Sequence, residues 1–178
     1  LMNFGSLDNK INTHQLQFQH LLNKWWLAQI TTKHDAVESI SENYGSKNYV
    51  LNNLTIHPRI SYLFSQNARI EFFYEWKNKE NTKGDLETLM QHRIGTAFNW
   101  STNQKFTLNG EFSFYNNKFE GNPLSAVAYQ MLEGLQPGKN ITWRVLFQRN
   151  LTKYLDASIN YQGRTSETAK TIHTGSIQ

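Results

Sequence analysis

The chain has 178 residues, of which 38% are apolar and 18% charged, with a formal net charge of +4 and no cysteine. That length suits one ordinary domain, and the missing cysteine excludes disulfides, thiolate metal sites and cysteine nucleophiles. No run approaches the ~18 consecutive apolar residues of a spanning helix, so any entry into a bilayer has to be as β-structure.

Alternation and turn signals predict nine strands. The first covers about 13 to 20 (THQLQFQH) and the second about 25 to 32 (WWLAQITT), joined by LLNK at 21 to 24. The third and fourth form the clearest hairpin. Leu54, Ile56, Pro58, Ile60, Tyr62 and Phe64 take the even positions, with Thr55, His57, Arg59 and Ser61 between them. After SQNA at 65 to 68, Ile70, Phe72, Tyr74 and Trp76 oppose Arg69, Glu71, Glu75 and Lys77. Each strand therefore has one apolar wall and one charged wall. A length of about ten residues matches a tilted strand crossing a bilayer. Pro58 lacks a backbone donor, so a bulge or a missing ladder bond is expected there.

The fifth strand, about 89 to 100, sets Ile94, Phe98 and Trp100 against Gln91, Arg93, Gly95 and Asn99, with His92 on the apolar side. The sixth, 105 to 115, sets Phe106, Leu108, Phe112 and Phe114 against Lys105, Thr107, Asn109, Glu111 and Ser113. The seventh, 141 to 148, sets Ile141, Trp143, Val145 and Phe147 against Thr142, Arg144 and Gln148. The eighth, 154 to 162, sets Leu155, Ala157, Ile159 and Tyr161 against Asp156, Ser158, Asn160 and Gln162. The ninth, 171 to 178, has the weakest pattern.

Connections alternate strictly between short, asparagine-rich turns and long segments at about 33–49, 78–88, 116–140 and 163–170. Short turns on one side and long loops on the other is the topology of an outer-membrane barrel. The apolar stretch 126 to 135 (AVAYQMLEGL) would break this parity as a strand, so 116–140 is expected to be one loop with a short helix around Ala126 to Glu133 and a turn at Gln136, Pro137 and Gly138. Nine strands is an odd number, and single-chain bacterial barrels use even ones. The expectation is therefore an all-β, antiparallel transmembrane β-barrel of which residues 1–178 supply a C-terminal segment, about nine strands, with at least one more strand upstream of Leu1. The segment LMNFGSLDNK at 1 to 10 is not an export signal, which fits the same expectation.

Aromatic side chains mark depth, because amphipathic rings favour the membrane interface. Tyr62, Phe64, Phe98, Trp100, Phe106, Phe147 and Tyr154 fall beside the short turns, and Tyr74, Trp76, Phe114, Trp143 and Tyr161 at the opposite strand ends. The expected lumen-facing charged set is Arg59, Arg69, Glu71, Glu75, Lys77, Arg93, Lys105, Glu111, Arg144 and Asp156. Its mixed signs suit cross-strand ion pairs, with a charge-lined permeation path as the alternative.

Chemistry is not legible. The histidines at 14, 20, 34, 57, 92 and 173 include no pair at metal-ligand spacing, and there is no nucleophile elbow, P-loop or dinucleotide fingerprint. No catalytic residue, cofactor or metal is expected, and the chain is not read as an enzyme. Positive charge is dispersed, so no nucleic-acid partner is expected. Asn53, Asn99, Asn140 and Asn150 open N-x-S/T triplets in strands and turns, an unfavourable setting for glycosylation.

From Tyr129 onward the elements MLEGLQPGKNITW (131 to 143), YQGRTSE (161 to 167) and IHTGSIQ (172 to 178) resemble the C-terminal ends of large surface barrel proteins of the Bacteroidota. The resemblance covers about fifty residues and carries no site residues. It implies a location in the Gram-negative outer membrane and membership of a large envelope protein. Such proteins close on an aromatic residue, so the expected ending lies a few residues beyond Gln178. The function expected is transport, secretion or envelope assembly, with the lipid bilayer and other envelope proteins or lipoproteins as partners. The alternatives are a non-conducting barrel that anchors a surface or partner complex, and a soluble ligand-binding β-barrel.

Overall fold

A computed structural model describes residues 7–41, 48–84, 86–102, 105–152 and 155–178. Nine strands follow one another in a single antiparallel sheet whose spatial order is the sequence order. They are β1 (Leu7–Leu21), β2 (Trp26–Ser41), β3 (Tyr49–Ser65), β4 (Ala68–Asn81), β5 (Thr88–Thr102), β6 (Phe106–Glu120), β7 (Gly138–Thr152), β8 (Leu155–Ser166) and β9 (Ile172–Ile177). One helix, α1 (Ala126–Leu132), interrupts the meander between β6 and β7. No pairing joins β1 to β9 among the described residues, so the sheet is open.

Local chemistry explains the turns. The Asn23 side chain accepts from the backbone N–H of Trp25 and Trp26 at 2.8 and 3.1 Å, which folds the β1–β2 connection back on itself. Gln66 and Asn67 alone link β3 to β4. Asn81 and Glu87 close the next hairpin with a backbone bond of 2.8 Å and a side-chain bond of 2.7 Å. At Pro58 the β3–β4 ladder skips two residues, resuming at Arg59 opposite Phe73 without a change of register, while the β2 side pairs straight through. The missing donor thus costs ladder bonds and no bulge.

The strands are longer than alternation suggested. β2 extends through Ser41, β4 through Asn81 and β6 through Glu120, so much of the expected loops 33–49, 78–88 and 116–140 is paired strand. Residues such as Asn78, Lys79, Glu80 and Asn81 are polar on both faces, which leaves no alternation to read although the backbone ladder continues. The last loop is likewise shorter than 163–170 implied, because β8 runs to Ser166.

Strand ends are staggered. A cross-strand row from Trp26, the first residue of β2, passes through Tyr62, Ile70, Phe98, Gly110 and Val145 to Tyr161, well inside β8. The drift is about one residue per strand. At ~3.3 Å per residue and ~4.8 Å between strands, this stagger corresponds to a tilt of about 35° for strands whose ends are level.

Gly95 allows one close approach. A Cβ there would meet the Phe73 ring at 2.5 Å and the backbone oxygen of Phe112 at 2.6 Å, so the ring of Phe73 lies where a side chain would otherwise stand.

Candidate functional site: an apolar band and a polar wall

Period-two alternation sends the two kinds of side chain to opposite faces, and the sheet keeps that separation across its strands. On one face Phe18, Ile60, Phe72, Ile94, Phe112, Val145 and Ile159 are exposed large apolar side chains at mid-strand. They have no covering layer among the described residues. For a water-soluble sheet this is the wrong face to leave bare, since contiguous exposed apolar surface is normally limited to a few hundred Å².

Aromatic pairs edge the band. At the short-turn end Tyr62 packs between Trp26 and Phe64, with ring centroids 4.8 Å apart in both cases, and Phe106 packs edge-on to Trp100 at 4.9 Å and against Phe147 at 6.3 Å. Phe98 lies on the same face, in the Trp26 row. At the long-loop end Tyr74 and His92 join through Oη and Nδ1 at 2.6 Å, and Tyr161 and His173 repeat the arrangement at 2.8 Å with Trp143 beside His173. Trp76 stands directly opposite His92, and Phe114 opposite Ile94. His92 thus finds its polar partner on the apolar face. Tyr154 lies outside the described residues. Trp26 was not among the expected rings because two adjacent tryptophans leave open which one faces the band.

Beyond the long-loop edge the sheet turns its polarity over. The face that was apolar now carries mainly Asn52, Asn78, Glu80, Asn116, Lys118 and Glu120, with Ile40 and Met90 as exposed apolar exceptions. The opposite face, polar below, buries Leu51 and Leu89 under Val127, Ala128, Met131 and Leu132 of α1, with Val37, Tyr49 and Phe119 packed around them. Each large apolar side chain so buried contributes roughly 1.5–3 kcal/mol. The inversion falls within about two residues of Trp76 and His92.

Helix α1 is built to sit there. Ser125 caps its start by accepting from the Ala128 N–H at 3.0 Å. Glu133 ends it in the left-handed region at φ 55, and Gly134 follows at φ +77. The strained Glu133 is held by Lys79 at 2.7 Å and Lys77 at 3.1 Å, while Lys79 also donates to the Met131 carbonyl at 2.7 Å. Burial acts to raise the Glu133 carboxyl, but the two ammonium groups outweigh it and hold the group below its ordinary value. For Lys79 burial prevails and depresses the ammonium. Arg164 Nη1 donates to the Gly134 carbonyl at 2.8 Å, and Asn117 and Asn140 both donate to the Gln136 carbonyl, at 2.9 and 2.7 Å. These ties fix residues 121 to 137 against the polar face.

Below α1 the polar face is an ionic ladder. Glu75 stands opposite Arg93 and lies 3.9 Å from it, 3.6 Å from Lys77 and 3.9 Å from His57. Arg93 continues to Glu111, donates to Ser113 at 3.1 Å and stacks over Phe73 and Tyr115. Arg59 and Ser61 both reach Glu71, at 3.8 and 3.1 Å. Six of the expected charged residues, Arg59, Glu71, Glu75, Lys77, Arg93 and Glu111, are thereby brought together. Arg69, Arg144 and Asp156 make no ion pair among the described residues, and Lys105 sits in the turn before β6 instead of on the strand. Lys79 and Glu133 join the network although neither was expected in it. Among the described residues no three His, Cys, Asp or Glu side chains group as metal ligands.

No protein-family model matches the chain, and no curated protein does. Among solved structures, a NanC porin in a rhombohedral crystal form aligns with 89% of this chain and 85% of its own length, at 13% identity and a TM-score of 0.39. Likeness at that level does not assign a function.

Proposed function

We propose that this chain forms wall of a β-barrel in a bacterial outer membrane, with the ring-bearing face against lipid and the ionic ladder towards an aqueous interior. The observation that carries the reading is the polarity inversion. Water on both sides of the sheet would give no reason for the apolar face to give way near Trp76, His92 and Ile141 and reappear on the other side as a core under α1. A hydrocarbon layer of finite thickness does. On β6 the apolar positions run from Phe106 to Phe114, about 26 Å along the strand and about 22 Å along the membrane normal for strands tilted by about 35°, close to the band of about 25 Å expected of outer-membrane barrels. The chain ending that resembles Bacteroidota surface barrels agrees with a Gram-negative envelope.

Transport, secretion or envelope assembly follows as the role of such a barrel, with lipid as the immediate partner and other envelope proteins or lipoproteins as its assembly partners. One observation favours a second reading. The α1 segment lies on the polar face at the long-loop end, where it narrows whatever the sheet encloses, as suits a barrel that anchors a surface complex without conducting. Planar-bilayer recording on the intact protein separates the two: ion conductance supports transport, and a sealed barrel overturns it in favour of anchoring. Flotation with phospholipid vesicles tests the shared premise, which fails if the protein stays in the aqueous fraction without detergent.

A further inference from the structure

Following the ionic ladder across β6 to β9 leads to charge that is not used. Glu111 is engaged by Arg93, and Glu133 by Lys77 and Lys79, so both carboxylates bordering the next stretch of polar face are already compensated. Arg144 is exposed, and no hydrogen bond or ion pair to its guanidinium occurs among the described residues. Arg164, one step diagonally across the β7–β8 ladder, spends Nη1 on the Gly134 carbonyl and no other nitrogen. These two arginines open on a cleft of about 530 Å³ between the sheet and the α1 loop. Thr142 and Gln162 supply neutral polar groups to it, and Leu135 and Ile172 an apolar wall.

We propose that this cleft binds a small organic dicarboxylate, with one carboxylate on the free guanidinium of Arg144, the other towards Arg164, and the aliphatic spacer against Leu135 and Ile172. The chemistry follows from the groups present. A guanidinium offers a planar pair of N–H donors that matches a carboxylate bidentately, and charge-assisted bonds of this kind are the strong ones. Arg144 stands opposite Glu111 in the ladder, but that carboxylate is paired with Arg93, so two guanidiniums keep unpaired N–H groups that call for a dianion, while the apolar wall favours a carbon chain over a bare inorganic ion. Glu111 and Glu133 line the same cleft, but Arg93, Lys77 and Lys79 balance them together with Glu75, which leaves the charge of Arg144 and Arg164 in excess.

The proposal needs the polar face to be wetted and does not depend on what covers the apolar face. A protein that floats with vesicles yet ignores the ligand overturns this inference alone, and one that fails to float overturns only the membrane reading. The test is isothermal titration calorimetry of the detergent-solubilised intact protein at low salt, with glutarate as the dianion, glutaramide as its uncharged isostere and sulfate as an inorganic dianion. Saturable glutarate binding is expected, weakened about tenfold or more in Arg144→Gln. Arg69→Gln removes an unpaired arginine elsewhere on the same face and is expected to leave it within about twofold, since its charge is solvent-screened at that distance. Circular dichroism of Arg144→Gln checks that this exposed change leaves the fold intact. Failure of glutarate to bind up to about 10 mM overturns the proposal, as does equal binding of glutaramide, equal binding of sulfate or indifference to Arg144→Gln.

Discussion

Replacing Phe72 by arginine makes the two solvents of the sheet give opposite answers. Phe72 lies midway along the apolar run of β4 from Ala68 to Trp76, faces Ile60 and Thr96 across the ladders, and is 48% exposed. If that face met water, arginine at a half-exposed position would change stability by no more than about 0.5–1 kcal/mol and would improve solubility. Against hydrocarbon at mid-depth, arginine costs about 2–4 kcal/mol, a loss of roughly 30- to 700-fold in the folding constant. Asn78→Arg is the internal control, because Asn78 occupies the same face of the same strand above the aromatic edge, where the cost falls to about 0–1 kcal/mol. Urea titration of the intact protein in phospholipid vesicles, followed by tryptophan fluorescence, reads both. Equal, small effects of Phe72→Arg and Asn78→Arg would refute the argument.

Two further outcomes concern the α1 latch. Glu133→Gln strips the buried Lys79 of its carboxylate partner and is expected to loosen α1 by about 1–2 kcal/mol, a figure held down because the Glu133 side chain is itself 54% exposed. Adding Lys79→Met is expected to restore most of that loss, and hydrogen-exchange protection of residues 126–132 measures both. Because Glu133 titrates below its ordinary value of 4.5 in the folded protein, its contribution is fully present above that pH and is lost as the pH falls through the folded value. Protection factors of α1 should therefore hold at pH 6 and decline only as the pH falls below 4.5, with a flatter dependence in Glu133→Gln.

The strands that meet the band could be read directly, since Ile70 to Trp76 and Phe106 to Phe114 alternate with single exceptions at Phe73 and Gly110. Their polar extensions could not. Lys79 and Asn117 are buried against a loop that arrives from farther along the chain, and a polar residue covered in this way looks like any loop residue in a linear sequence. The core under α1 was hidden for a related reason. Leu51, Leu89 and Phe119 stand on the face that is polar lower down, so they read as lapses in the pattern when they mark a second one. The helix itself was legible from the apolar stretch at 126 to 133 and from strand parity. Its anchor was not, as Lys79 and Glu133 are 54 residues apart. Which charged side chains pair and which stay free is set by diagonal neighbours across the ladder, and these depend on a register that alternation alone leaves open.

The central claim is that the ring-bearing face lies in hydrocarbon to a sharp upper limit. The chain contains no cysteine, so single cysteines placed one at a time from residue 69 to residue 80 can each carry a fluorophore in vesicles containing brominated lipid. The account predicts strong quenching at 70, 72, 74 and 76, little at 69, 71, 73 and 75, and a drop to background at 78 and 80. Uniform quenching along β4, or none at Phe72, would contradict it.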